Sequence, residues 1–184
     1  MAGSRLGMLC LAAAIGMAVT AHDQAQAQNA STHQRVHTYI DPIDQQPRDC
    51  YARPRAGGDL VLVKGRNDSS LRFWGYSTWD AAGQPQIILN MLALSQLPAI
   101  MTRFTFYHEC AHLVLRMADE VQASCEALTL MRAKGELARG DELVIKQEHQ
   151  RLRFLGVKYL GNGKALWDAT FECARARQIS AAAR

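Results

Sequence analysis

The residues of this sequence best suited to chemistry are two histidines and a glutamate, in the run His108-Glu109-Cys110-Ala111-His112. Residues four apart lie on one face of an α-helix, about 5–6 Å apart at Cβ, so both imidazoles can bind one zinc ion. Glu109 directly follows the first histidine, where its carboxylate can take a proton from a water molecule on the metal. The spacing therefore predicts a zinc site with Glu109 as its general base.

The helix that must carry this motif is strongly apolar. Phe104, Phe106 and Tyr107 precede the motif, Leu113 to Leu115 follow it, and no Gly or Pro interrupts residues 99–116. Two histidines and an acid on such a helix are costly to bury unless they share a partner. The context thus favours a metal site over a pair of solvated histidines.

A catalytic zinc ion normally has three protein ligands, so one more must come from elsewhere in the chain. Residue 118 is alanine, which excludes the HExxHxxGxxH pattern with its third histidine. The next acids along the chain are Asp119, Glu120 and Glu126. We therefore expect the third ligand to be a carboxylate.

Together with the HExxH motif, the run Glu120-Val121-Gln122-Ala123-Ser124 resembles the gluzincins, zinc peptidases whose third ligand is a glutamate on a second helix. More narrowly, the chain is similar to small exported bacterial proteins that combine HECAH with a later E-x-x-A-D-C. The resemblance covers residues 108–128 and could extend to Cys50 and Cys173. It implies one Zn²⁺ held by three ligands beside a general base: His108, His112 and Glu120, with Glu109.

Ser124 stands where the second motif of the family has an aspartate. In the family that aspartate hydrogen-bonds a ligand imidazole and orients it. We expect the hydroxyl of Ser124 to do this weakly or through water.

The spacing between the two motifs requires a reversal of the chain. If one straight helix ran through both, Glu120 would lie about 12 Å beyond His112 along the axis and could not reach the metal. A turn is therefore expected between Arg116 and Asp119, although no Gly or Pro marks it. Asp119 has the residue type of an N-cap for the second helix.

Four cysteines remain after the first 27 residues, an even number that suggests two disulfides in an exported chain. Sequence alone allows three connectivities. In a helical hairpin turning between residues 117 and 118, Cys110 and Cys125 would lie level, and Ala111 and Ala123 are small enough for a close crossing. Our hypothesis pairs Cys110 with Cys125, and Cys50 with Cys173.

The N-terminus has the pattern of a secretory signal peptide. Arg5 precedes an apolar run from Leu6 to Val19, and small residues offer cleavage after Ala21 or Ala27. The interpretation is a signal peptide over 1–27, a flexible start over 28–34, one zincin-like domain over 35–179 and a frayed tail over 180–184. The expected location is periplasmic or secreted.

Periodicity predicts strands first and helices second. Extended segments are expected within 35–90, and helices over 99–116, 121–134, 141–155 and 164–178. The fold class is α+β, a small antiparallel or mixed sheet packed on a helical half that carries the HExxH helix.

Residues outside the motifs are harder to place. Gln86–Asn90 could be a sheet edge that binds an extended substrate, or an ordinary strand. Peptide hydrolysis needs a hydrogen-bond donor to the developing oxyanion, and the sequence does not select one of the four candidates. They are Tyr76, Tyr107, His149 and Tyr159. Because His149 lies in the charged run KQEHQRLR, we expect it to be solvated.

The leading hypothesis is an exported zinc metallopeptidase that hydrolyses peptide bonds through a zinc-bound water activated by Glu109. The alternatives are a non-catalytic metal-binding or interaction domain with a degenerate gluzincin site, and a disulfide-stapled domain without metal. Expected partners are peptide or protein substrates, with no nucleic acid, because the net charge of +4 is modest and scattered. No integral membrane segment is expected after signal removal, and the oligomeric state stays open.

Overall fold

The computed structural model describes residues 39–52, 59–71, 73–152, 156 and 159–182, which all belong to one compact unit. The predicted signal peptide and flexible start lie outside the described residues. None of the helices within these ranges is both long and apolar enough to cross a membrane.

Strands occupy the first half of this unit and helices the second, so the predicted α+β class is confirmed. The strands are β1 Tyr39–Ile40, β2 Pro47–Arg48, β3 Tyr51–Ala52, β4 Asp59–Leu60, β5 Leu62–Arg66, β6 Gly75–Trp79 and β7 Pro85–Asn90. The helices are α1 Met91–Leu94, α2 Ala99–Leu115, α3 Glu120–Ala133, α4 Asp141–Arg151 and α5 Gly163–Ala182.

The largest sheet has three strands in the order β5-β7-β6, and β1–β2 and β3–β4 form two small antiparallel pairs. β7 runs parallel to β5 and antiparallel to β6. All six residues of β7 are buried, as expected for a central strand. The suggestion that Gln86–Asn90 is a sheet edge is therefore wrong; within the described part of the chain, β6 is an edge strand.

A helical hairpin formed by α2 and α3 contains the expected reversal. Arg116 ends α2 in the left-handed conformation, with φ 50° and ψ 47°. Asp119 caps α3 by accepting a hydrogen bond from the backbone N–H of Gln122 at 2.9 Å. Glycine usually occupies such a left-handed position at the end of a helix. Because arginine occupies it here, the sequence carries no residue that would predict the turn.

The core lies between the sheet and the helices and is built largely from α2. Twelve of the seventeen residues of α2 are buried, which explains its largely apolar sequence. The largest fully buried apolar side chains come from β7 and from the helices α1 to α4: Ile87, Leu89, Leu94, Met101, Phe104, Phe106, Leu128, Met131 and Ile145.

The disulfide hypothesis is wrong. The structure pairs Cys50 with Cys110 and Cys125 with Cys173, each with Cα atoms 5.8 Å apart. Cys110 lies two residues from each motif histidine, about 200° around the helix, so it faces away from α3 and toward β3. Cys125 lies about 140° around α3 from Glu120 and faces α5. Cys110 and Cys125 therefore lie on outward faces of the hairpin, each toward its own partner.

The first residue of α5, Gly163, contacts the backbone at the end of α4. The backbone N–H of Gly163 donates to the carbonyl of Leu152 at 2.8 Å. A Cβ on Gly163 would lie 1.8 Å from the carbonyl oxygen of His149, so only glycine permits this approach. The contact fixes the position of His149 beside α2.

Candidate metal centre and adjoining groove

Two histidines on one face of α2 form the first part of the site. The imidazole rings of His108 and His112 have centroids 4.7 Å apart, and their Nε2 atoms are 3.1 Å apart. This is the geometry expected of residues one helical turn apart. Both side chains are largely buried, at 13% and 12% exposure.

The hairpin brings Glu120 to the same point. Its Oε2 lies 3.0 Å from Nε2 of His108 and 3.5 Å from Nε2 of His112. Glu120 is 4% exposed and is the first residue of α3, directly after the cap Asp119. The turn at Arg116 therefore brings Glu120 next to the two histidines in space, although it follows them by eight residues or more in the chain.

The other ring nitrogen of each histidine has a separate partner. Nδ1 of His108 lies 3.0 Å from Oγ of Ser124, and Nδ1 of His112 lies 2.8 Å from the carbonyl oxygen of Met117. A carbonyl can only accept, so His112 donates through Nδ1, and in the neutral ring Nε2 then has a lone pair for a metal ion. Ser124 contacts His108 directly rather than through water.

The electrostatics of His112 reflect these contacts. Burial acts to lower the pKa of His112, but the hydrogen bonds to Glu120 and to the Met117 carbonyl, together with the negative charges of Glu109 and Glu120, raise it above the ordinary value.

The three converging atoms fit a metal ion in both chemistry and distance. Tetrahedral zinc with ligands at 2.0–2.1 Å would separate its donor atoms by about 3.3 Å. The observed separations are 3.0, 3.1 and 3.5 Å, and the donors are two imidazole nitrogens and one carboxylate oxygen. His108, His112 and Glu120 thus form a group that could hold a metal ion.

A groove of about 790 Å³ opens in front of this group. Glu109 is only 7% exposed and lines the groove together with His112 and Glu120. One wall comes from the edge strand β6, through Gly75, Tyr76, Ser77 and Trp79. The groove therefore places a carboxylate, the metal-binding group and a strand edge along one surface.

A smaller cavity of about 100 Å³ is also lined by Glu109. It is lined by both metal-side and interior residues: Phe73, Trp74, Gly75, Phe104, Thr105, His108, Glu109, Ser124, His149, Leu152, Tyr159 and Leu166. Phe73, Gly75, Glu109 and Tyr159 line the groove as well, so the two spaces adjoin.

The expectation that His149 is solvated is wrong, because it is 3% exposed and lines this cavity. Ile145, Glu148 and His149 form a buried stripe on α4 at helical spacing, while their charged neighbours are more exposed. Nδ1 of His149 donates to the carbonyl of Ile145 at 2.8 Å. Burial lowers the pKa of His149 to about 4, so the ring is neutral at pH 7.

The candidate oxyanion donors fall in different places. Tyr107 is buried with its hydroxyl 3.2 Å from Nζ of Lys134, and it lines neither the groove nor the cavity. Burial raises its pKa. Tyr76 lines the groove, His149 lines the cavity, and Tyr159 lines both.

Sequence inspection missed Thr105, which lines the cavity and is 4% exposed. A signal was available, because residues 105, 108, 109 and 112 follow the i, i+3, i+4, i+7 spacing of one helical face. The motif therefore predicts a face that begins one turn before His108.

Comparison of the chain with family models, with curated proteins and with solved structures found no match.

Proposed function

We propose that this protein is an exported zinc-dependent metallopeptidase. The observation that carries the proposal is the convergence of two imidazole nitrogens and a carboxylate oxygen within 3.0–3.5 Å of one another. Two histidines and a glutamate are a ligand set of catalytic zinc, in which a further coordination position is left to water or substrate.

His108, His112 and Glu120 would hold the ion, and the ion would supply Lewis acidity to a water molecule and to the scissile carbonyl. Glu109 lies next to His108 in the chain and lines the groove, so its carboxylate is the base available to take a proton there. The same carboxyl group can return that proton to the leaving amine. Ser124 and the Met117 carbonyl hold the imidazoles in orientation.

The groove supports a peptide as the substrate. β6 is an edge strand of its sheet, with its partner β7 on one side only among the described residues. An extended peptide can hydrogen-bond to such an edge by strand addition. Tyr76, Ser77 and Trp79 of β6 line the groove, which would bring the bound peptide alongside Glu109.

The two disulfides support export, because such bonds persist in oxidising compartments. With the predicted signal peptide, they favour a periplasmic or secreted location.

Two measurements test the proposal. Metal analysis of the purified protein should find about one zinc per chain, lost in a His108→Ala variant. Cleavage of a peptide library should depend on that zinc, and Glu109→Gln should keep the metal while reducing turnover by at least about a hundredfold.

Each outcome has a distinct meaning. Zinc without cleavage of any peptide would favour a non-catalytic metal-binding domain, whereas purified protein that takes up no zinc would exclude both functions. Unchanged turnover in Glu109→Gln would remove Glu109 from the mechanism.

A further inference from the structure

Arg116 places a positive charge at the groove in front of the metal-binding group. It directly follows α2, its backbone N–H donates to the carbonyl of His112, and the residue is exposed. Arg116 lines the groove together with His112, and it is the only lysine or arginine among the described residues that do so. Its position is therefore beside the metal-binding group and open to a molecule that enters the groove.

The backbone of Arg116 has a conformation that disfavours arginine. Its φ of 50° and ψ of 47° lie in the left-handed region, which glycine adopts without steric cost and other residues do not. The reversal of the chain requires only this backbone conformation. The arginine side chain therefore calls for a separate explanation, and its place in the groove suggests one.

Charge complementarity indicates what the groove binds. A divalent ion on the metal-binding group would balance the carboxylates of Glu109 and Glu120, so that Arg116 leaves one net positive charge on the described lining residues. Asp119, the acid closest to Arg116 in the chain, caps α3 and does not line the groove. The groove therefore favours a substrate with a negatively charged group.

The chemistry and position of Arg116 define this group further. A guanidinium group binds a carboxylate through two parallel N–H···O hydrogen bonds, a geometry that lysine does not offer. Arg116 follows His112 by four residues, about 6 Å along the helix axis. An extended peptide advances about 3.4 Å per residue, so a carboxylate at Arg116 belongs to a residue within about three positions of the cleaved bond.

We propose that Arg116 binds a carboxylate of the substrate and makes the enzyme selective for acidic peptides, a specificity that rests on the proposed peptidase function. The carboxylate is supplied either by a glutamate or aspartate side chain near the cleaved bond or by the C-terminus of the peptide. Both sources present the same group to the guanidinium, and matched peptides distinguish them.

Three short peptides test this selectivity without turnover. They are acetyl-Ala-Ala-Gln-Ala-Ala-amide, the same peptide with Glu in place of Gln, and the Gln peptide with a free C-terminus. Each is titrated into the full chain in the presence of zinc, and NMR follows the indole resonance of Trp79, which lines the groove. We expect one acidic peptide to bind about tenfold more tightly than the neutral one, the factor that charge-assisted hydrogen bonds support. Equal affinities for all three peptides would overturn the proposal.

Substitutions then assign the preference to Arg116. Arg116→Gln should remove it and Arg116→Lys should keep only part of it. Arg116→Gly also removes the charge but suits the left-handed backbone, so loss of the preference in this variant does not come from a disturbed turn. Arg139→Gln is the matched control, since Arg139 is exposed but does not line the groove, and it should keep the full preference. An unchanged preference in Arg116→Gln would show that the metal alone binds the carboxylate and would overturn the proposal.

A library of cleavable peptides separates this proposal from the proposed function. Cleavage that favours acidic peptides in the natural chain but not in Arg116→Gln would support both. Cleavage that is indifferent to the carboxylate would overturn the selectivity alone. If no peptide is cleaved but the binding preference depends on Arg116, the peptidase function fails and the carboxylate site remains.

Discussion

At the level of single residues, two different hydrogen-bond partners orient the two imidazoles. His112 is oriented by a backbone carbonyl, which no substitution removes, whereas His108 depends on the hydroxyl of Ser124. Ser124 is fully buried, so water does not readily replace its hydroxyl. The orientation of His108 is therefore the part of the site most open to a small change of side chain.

We predict that Ser124→Ala weakens zinc binding about tenfold or more, the effect expected when a partner of a ligand imidazole is lost. The substitution removes one oxygen and adds no volume, so the protein should remain folded. Competition with a chromogenic chelator measures the affinity. Full zinc affinity in a variant with an unchanged circular dichroism spectrum would show that Ser124 does not orient His108.

At the level of secondary-structure elements, the connections between helices determine where the side chains of the site lie. Arg116 and Asp119 reverse the chain between α2 and α3 and bring Glu120 to the histidines. Gly163 likewise positions a side chain of the site, because its backbone packs on the carbonyl of His149 where α5 meets α4. The first connection has only four residues, 116–119, whereas eleven residues separate α4 from α5, and there the contact of Gly163 with His149 holds the two helix ends together.

We predict that Gly163→Ala lowers the free energy of unfolding by about 2–3 kcal/mol, because the added methyl overlaps backbone and something must shift. Without this clash, alanine in a helix would stabilise by up to about 1 kcal/mol relative to glycine, so the sign is informative. Urea unfolding measures the change.

Gly156→Ala provides the control for this substitution, since a Cβ there would meet nothing within 4 Å. Its effect should stay within about 0.5 kcal/mol. Stabilisation by Gly163→Ala would contradict the close approach of α5 to His149.

The whole molecule is held by links between distant parts of the chain. One disulfide joins Cys50, directly before β3, to the outer face of α2, and the other joins α3 to α5. On the β3 side, Arg103 of α2 pairs with the buried Asp41 at 2.5 Å. The hairpin of α2 and α3 is thus fixed on both sides.

His149 makes the global stability depend on pH. Its pKa is about 4 in the folded protein against an ordinary value of 6.5, so the unfolded chain takes up the proton first as the pH falls. The stabilisation is fully present above about pH 6.5 and is lost as the pH falls toward 4. From the shift we expect a loss of about 3 kcal/mol over this window.

The measurement is urea unfolding of metal-free protein at several pH values, for the natural chain and for His149→Asn. Asparagine keeps a donor near the position of Nδ1 but does not titrate. The natural chain should lose about 3 kcal/mol more than the variant between pH 7 and 4. Parallel pH profiles would show that His149 is not held neutral by burial. His112 titrates in both proteins, so its contribution cancels in the comparison.

The sequence by itself determined the features that depend on neighbouring residues. The positions of α2 to α5, the shared face of His108 and His112, and the cap at Asp119 all follow from helical spacing and residue type. These patterns act over one or two turns, so they can be read without knowing what each element packs against. The α+β class follows from the order of these elements.

Only the tertiary structure decided which faces meet. It determined that Cys110 faces β3, that β7 is the central strand, that His149 is buried, and that Glu120 reaches the histidines through a left-handed Arg116. Each of these depends on the rotation of one element against another, which a local pattern does not encode. The cavity at Thr105 belongs to this group as well, because its walls come from segments far apart in the chain.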